Sequence, residues 1–344
     1  MGGGIVGLTA AVELDQAGFQ VTVVDEGEHV RATWAAAGML APGAEIQPGE
    51  TNQWREQSES TLIWPEFLHS VGITPEEAQL TRTGTLLVGW DASDRREVSR
   101  QFQIARETGA EPRAVSRATH PDLFRDVAAQ IPEGLLFESD STLNPDPVMA
   151  GLQRHLQRKG VSILRGSAEL AAGTAVEVSV NDDVLRGDVG VFATGARAIP
   201  EPLAGLTTNA VRPVRGSTVR FRGATWTGQP MVRAIVRGKP LYALIRPDGT
   251  GLLGATVAEG ASPDIELNEL AQLLRDANDL LPGLRSTSVV EIRSGLRPAA
   301  PTANPFIERL EGTAWYWTSG HFRHGVTLAP LYARRLVGAI QSAG

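Results

Sequence analysis

MGGGIVGLTA (Met1–Ala10) is the stretch on which the fold turns. Gly2, Gly4 and Gly7 stand at the spacing G-x-G-x-x-G. The first glycine permits a tight turn, the second lets backbone approach a pyrophosphate, and the third lets the next helix pack closely on a sheet. A helix follows at once: Val6, Ala10, Ala11 and Leu14 recur at three- and four-residue spacing, and Gly18 suits a stop just beyond its end. QVTVV, ending at Val24, then reads as a short buried parallel strand. Asp25 closes it, 18 residues past Gly7, where a carboxylate can accept hydrogen bonds from ribose hydroxyls. A flexible glycine-rich start would explain the glycines but not the strand and acid in register behind them, so the pattern predicts a dinucleotide turn.

The strand that normally feeds such a turn lies at the centre of its parallel sheet. It supplies about five buried apolar residues, a burial that rivals the ~5–15 kcal/mol net stability of a domain. Only Met1 precedes the glycines here. The expectation is that the natural product starts several apolar residues upstream, and that the chain as written binds its cofactor poorly or folds badly.

The 344 residues suffice for two modest domains, and 42% hydrophobic with 21% charged residues excludes a disordered or fibrous chain. A net charge of -7 argues against a dedicated nucleic-acid binder, which needs a cationic face. With no cysteine, disulfides, thiolate metal sites, a cysteine nucleophile and any cofactor attached through sulfur are excluded. No apolar run reaches the length of a membrane span and no signal-peptide pattern opens the chain, so the expected location is cytoplasmic, with neither membrane nor nucleic acid as partner.

Further along, VGVFATGA (Val189–Ala196) is a second buried-strand run. TGTLLVGW (Thr83–Trp90), GLLFES (Gly134–Ser139), STVRFRG (Ser217–Gly223), PLYALIRPDGTGLLGAT (Pro240–Thr256) and TSVVEIR (Thr287–Arg293) read as antiparallel strands, with Asp248-Gly249 as the clearest hairpin turn. The α/β pattern at the start, near 150–196 and at the end, with β material between, predicts an α/β chain. Its nucleotide-binding domain (1–80, 141–205 and 290–344) is interleaved with an antiparallel β-rich substrate domain (81–140 and 206–289).

RATWAAAGMLAPGAE (Arg31–Glu45) is equally compatible with a surface loop and with small residues approaching a flat cofactor. TSGHFRHGVTLAPLYARRLVGAI (Thr318–Ile340) reads as a glycine-bracketed loop entering a helix whose positive end faces whatever the loop binds. His321 and His324 lack a carboxylate cluster, so no metal site is expected. Arg297, in SGLRPAAP, is either a solvated surface residue or a two-pronged clamp for a small carboxylate, to which Tyr242 can add a hydroxyl.

In the segments GGGIVGL, WAAAGMLAP, LYALIRPDGTGLLGAT, SGLRP and GHFRHGVTLAP, in this order, the chain resembles the flavin-dependent amine oxidases that include glycine oxidase, D-amino acid oxidase and monomeric sarcosine oxidase. It is most similar to the glycine oxidases of the thiamine-thiazole pathway. The resemblance implies non-covalent FAD, with Gly2, Gly4, Ile5, Val6 and Gly7 at the pyrophosphate, and Asp25 and Glu26 at the adenosine ribose. Ala32, Thr33, Ala37, Gly38 and Met39 would run along pyrophosphate and flavin, and Glu169 would give a backbone contact near the adenine. His321, Phe322, Arg323, His324, Gly325, Val326 and Thr327 would wrap the ring. Arg297 with Tyr242 would hold the substrate carboxylate and Arg323 would border its amine. The implied reaction is oxidation of glycine or a small amine to an imine, with oxygen reduced to hydrogen peroxide, in a homo-oligomer. A D-amino acid oxidase, or a dehydrogenase with another acceptor, is the alternative, and a flavin-binding protein without turnover is a third.

Overall fold

In the computed structural model the described residues are 1–27, 31–47, 51–171, 173–224, 228–260, 262–302 and 304–343. The first helix is Ile5–Gln16, and Gly18, at φ +90°, turns the chain out of it. Its buried Ile5, Leu8 and Val12 pack with Trp64 and Phe67 of the helix Thr51–Ser70, with Leu152 of the helix Pro145–Arg158, and with Val326 and Ala329 of the last helix, Gly325–Ala343.

The strand Thr22–Asp25 pairs in parallel with Ser162–Arg165, and Gly190–Phe192 pairs in parallel with Trp315–Ser319. These pairs belong to separate sheets, and Met1 and Gly2 run between them. The Met1 ammonium donates to Val191 O (2.7 Å), the Ala193 N–H donates to Met1 O (2.8 Å), and the Gly2 N–H donates to Val24 O (2.8 Å). Two residues thus carry the hydrogen bonding across the middle of the parallel layer, and they end at the glycine turn.

Among the described residues, these segments assemble into a nine-stranded sheet that is antiparallel except at Thr85–Gly89, which was expected to be antiparallel throughout and runs parallel to Met231–Val236 on one side. At its centre, Thr250–Gly254 lies between Arg212–Arg222 and Lys239–Ile245, followed by Met231–Val236. The Asp248-Gly249 turn joins two of these strands, with the Asp248 Oδ1 accepting the Thr250 N–H at 2.9 Å. Ser288–Ala299 runs antiparallel along the other edge of Arg212–Arg222, as one strand across the division drawn at 290. The two-residue alternation decides what faces where. Leu241, Ala243, Val232 and Ala234 pack in a core with Leu273, Ala277 and Leu280 of the helix Leu267–Leu280. Their neighbours Tyr242, Leu244 and Met231 turn to the opposite side, toward Ala37 and Ala41.

Candidate active site

A cavity of about 1050 Å3 runs from the glycine turn to the nine-stranded sheet. At the turn, the three motif glycines have different duties. A Cβ on Gly2, whose φ is +104°, would stand 2.3 Å from Ala193 O, and one on Gly7 would stand 1.9 Å from Gly2 O. Both must be glycine for the turn to close. A Cβ on Gly4 would touch only Thr33 Oγ1, at 3.5 Å, because this glycine faces the cavity. It is also the N-cap of the first helix and has no side-chain cap, so the first-turn N–H groups other than that of Ile5 are left for an anion. The Ile5 N–H donates to Thr33 Oγ1 at 3.2 Å.

Asp25 is buried behind the turn and accepts the Gly3 N–H (3.0 Å), Arg31 Nη2 (2.5 Å) and Arg165 Nη1 (2.7 Å). Arg31 Nη1 also donates to Gly3 O at 3.0 Å, so one guanidinium ties acid and turn together. Glu26 accepts from Ser167 Oγ (2.9 Å) and pairs with Arg197 (2.5 Å).

The middle of the cavity is lined by Ala32, Thr33, Ala37, Gly38 and Met39 on one side. Gly38 has φ +75°, and a Cβ there would be 2.0 Å from Leu143 O. Arg246, reaching across from the hairpin, donates to Ala37 O (2.9 Å) and Leu143 O (3.0 Å). Burial lowers its pKa to about 10, so it remains a cation. On the other side stand His321, Phe322, Gly325 and Val326, where the last helix begins. Phe322 holds φ +45°, a strained value for an aromatic residue at the point where loop becomes helix. Burial, with His324 nearby, pushes the His321 pKa down to about 3, so its ring is neutral. Its Nε2 has no partner among the described residues.

The far end is built from charged side chains. Arg233 and Tyr242 are directly opposed across two antiparallel strands. Arg297, from the Ser288–Ala299 strand, lies against Gly216, where a Cβ would be 2.1 Å from its Nη2. Burial pushes the Tyr242 phenol up to about 12, with Arg297 opposing the shift, so the hydroxyl stays a donor. Arg297 is half-buried, and desolvation lowers its pKa; among the described residues it donates only to Thr256 O, at 3.4 Å, and forms no ion pair. Glu45 accepts from Arg233 at 2.7 Å. Burial opposes its ionisation, but Arg233, His324 and Arg323 outweigh that and hold the carboxyl well below its usual range.

Of the residues expected at the cofactor, Gly2, Gly4, Ile5, Val6, Asp25, Glu26, Ala32, Thr33, Ala37, Gly38, Met39, His321, Phe322, Arg323, Gly325 and Val326 line this one cavity, as do Arg297 and Tyr242. Four do not. Gly7 packs beneath the turn, and His324 is buried beside Glu45. Thr327 is turned into the protein, donating to Met39 O at 3.0 Å while Ser60 Oγ donates to its carbonyl at 2.6 Å. Glu169 is exposed on a short strand, and the wall nearest it is made by Gly166, Ser167 and Ala168. Sequence reasoning missed Arg31, Glu45, Arg197 and Arg233. Arg31 and Glu45 bracket the small-residue stretch as its only charged residues, a signal that was available; nothing in its neighbourhood marks Arg233.

The profile of the FAD-dependent oxidoreductase family matches residues 1–339. The bifunctional protein ThiO/ThiG of Trichormus variabilis is 28% identical over 97% of this chain, and the chain spans about half of that relative, 51%. The glycine oxidase of Pseudomonas aeruginosa is 27% identical, with 98% of this chain and 92% of the relative covered. Among solved structures, glycine oxidase from Geobacillus kaustophilus superposes with a TM-score of 0.86 at 20% identity, covering 99% of this chain and 93% of that one. Iminodiacetate oxidase from Chelativorans gives 0.85 at 23% identity over 99% and 94%. At these identities the superpositions speak for the fold. The glycine turn with one face open, the flat small-residue wall and the orphaned His321 nitrogen fit FAD, and with the profile spanning nearly every residue the chain belongs to the FAD-dependent oxidoreductases.

Proposed function

We propose that this oxidoreductase deaminates glycine or another small amino acid or amine to its imine, which water converts to glyoxylate and ammonia, with hydrogen peroxide as co-product. The physiological role is supply of the imine to thiazole synthesis for thiamine, in the cytoplasm. The observation that carries the reading is Arg297: a half-buried guanidinium with no ion pair among the described residues, in one cavity with a protonated Tyr242 and the cofactor-facing loop. A cation drawn partly out of water with no counter-charge is costly, so the site is prepared for an anion, and the planar fork matches a carboxylate.

FAD, held by the Gly2–Val6 turn, Asp25 and the Ala32–Met39 wall, would supply the two-electron acceptor and its reoxidation by oxygen. The chain's own groups bind and align. Arg297 and Tyr242 fix the carboxylate, which leaves the α-carbon of a small substrate aimed at the cofactor face. The Gly325–Ala343 helix begins at the cavity, so its N-terminal dipole favours negative charge there. Neutral His321 adds no competing charge. In air, the purified holoenzyme should release peroxide with glycine; flavin reduction by glycine without peroxide would replace oxygen by another acceptor.

A further inference from the structure

We propose that Glu45 is a substrate-binding residue: its carboxylate receives the protonated amine of the substrate, so that the site selects amino acids bound as zwitterions. This rests on the amino acid reading of the cavity given above.

Glu45 lies in the wall shared with Arg297 and Tyr242 and is the carboxylate at that end among the described residues. Three guanidinium groups, Arg233, Arg297 and Arg323, face the same space. An ammonium entering among them would be repelled unless an anion stands beside it. Glu45 has acceptor capacity to spare. Its Oε1 takes Arg233 Nη1 at 2.7 Å and lies 3.9 Å from Arg323 Nε, whereas among the described residues Oε2 meets only His324 Nδ1, at 3.5 Å. A carboxylate offers about four lone-pair sites, so most of those on Oε2 remain for a ligand.

The position of this carboxylate is built in. The Glu45 N–H donates to Ala41 O at 3.1 Å, and buried Asp140 accepts the Gly43 N–H (3.1 Å) and the Ala44 N–H (3.2 Å). The Arg323 Nη2 donates to Glu45 O at 3.3 Å. The strand register puts Arg233 opposite Tyr242, so the Glu45–Arg233 pair stands next to the phenol that reads the substrate carboxylate. Carboxylate receptor and ammonium receptor are therefore both present. Glu45 is held too acidic to act as a base; it binds the charged amine and favours that form.

The test compares binding of glycine with binding of acetate, which carries the carboxylate alone, by perturbation of the flavin spectrum in the anaerobic holoenzyme. Glu45→Gln should weaken glycine about 10- to 100-fold and not weaken acetate, which loses a repelling neighbour, whereas Arg297→Ala should weaken both. The rise of kcat with pH, which reports the bound amine, should also move to lower pH by about one unit or more, because the anion that favours the protonated amine is gone. The double variant Glu45→Gln/Arg233→Gln, which also removes the guanidinium that Glu45 Oε1 pairs with, should repeat the glycine-specific loss if the single variant does not fold. Unchanged glycine affinity, or equal loss of glycine and acetate, overturns the assignment while the amino acid reading survives. Failure of the wild-type holoenzyme to bind either ligand overturns the reading itself, and the Glu45 assignment with it.

Discussion

The two ends of the cavity are made of different materials. The end at the glycine turn is shaped by backbone: Gly2 and Gly7 close the turn, Gly4 keeps one face open, and the helix that follows carries no side-chain cap. The end at the sheet is shaped by charge, with buried Glu45 and half-buried Arg233, Arg297 and Arg323 converging from four distant parts of the chain. A backbone site tolerates no added atom at its closure points. A side-chain site tolerates substitution in the fold but changes its chemistry.

The largest effect should separate the glycines. Gly7→Ala and Gly2→Ala each place a Cβ within 2.3 Å of a carbonyl oxygen, and no flexible side chain is there to yield. Both variants should lose folded flavoprotein, seen as collapse of the thermal transition and of bound flavin. Gly4→Ala should melt with the wild type and show only weaker flavin in an apoprotein titration. Equal melting of all three would erase the distinction between closure and contact.

At the other end, Arg297→Ala should lower kcat/KM for glycine about 10^2- to 10^3-fold, or roughly 3–4 kcal/mol, without lowering Tm, because the side chain has no ion pair to lose. Unchanged activity would remove the carboxylate clamp from the account.

This same difference explains what was legible in the sequence. Gly2, Gly4, Gly7 and Asp25 sit at fixed spacing because one turn and one strand connect them, so the motif survives as a pattern. The strands around Asp248-Gly249 were legible for a similar reason, as alternation plus a turn with a defined φ. Glu45 and Arg233 meet only because the small-residue wall lies across the sheet, a relation with no short-range trace. Glu169 shows the opposite case: resemblance located the region of a backbone contact, and the cavity wall there is formed by Gly166, Ser167 and Ala168, while the Glu169 side chain is exposed.

A smaller effect tests the link between the two materials. Asp140 accepts the backbone of the turn that carries Glu45, and burial raises its pKa from 3.8 to about 7, against the pull of Thr85, Gly43 and Ala44. A carboxyl whose pKa is raised in the folded state stabilises below its unfolded pKa, and that stability is lost as pH climbs through the folded value. Asp140→Asn resembles the protonated form throughout. The Tm of the variant relative to wild type should therefore increase from pH 4 to pH 7; a flat difference would mean that Asp140 is ionised across that range. Smallest of all, Glu169→Ala should leave flavin affinity unchanged, since the side chain does not line the cavity and the contact expected there is a backbone one; weakened flavin would give the side chain a part in the site.

The central claim, that one cavity holds FAD beside a receptor for a small amino acid, is tested most directly by anaerobic addition of glycine, sarcosine and D-alanine in turn while the flavin absorbance is followed. The predicted result is bleaching by at least glycine, with the colour restored and peroxide formed when air is admitted. Absorbance that none of the three amines changes would contradict it.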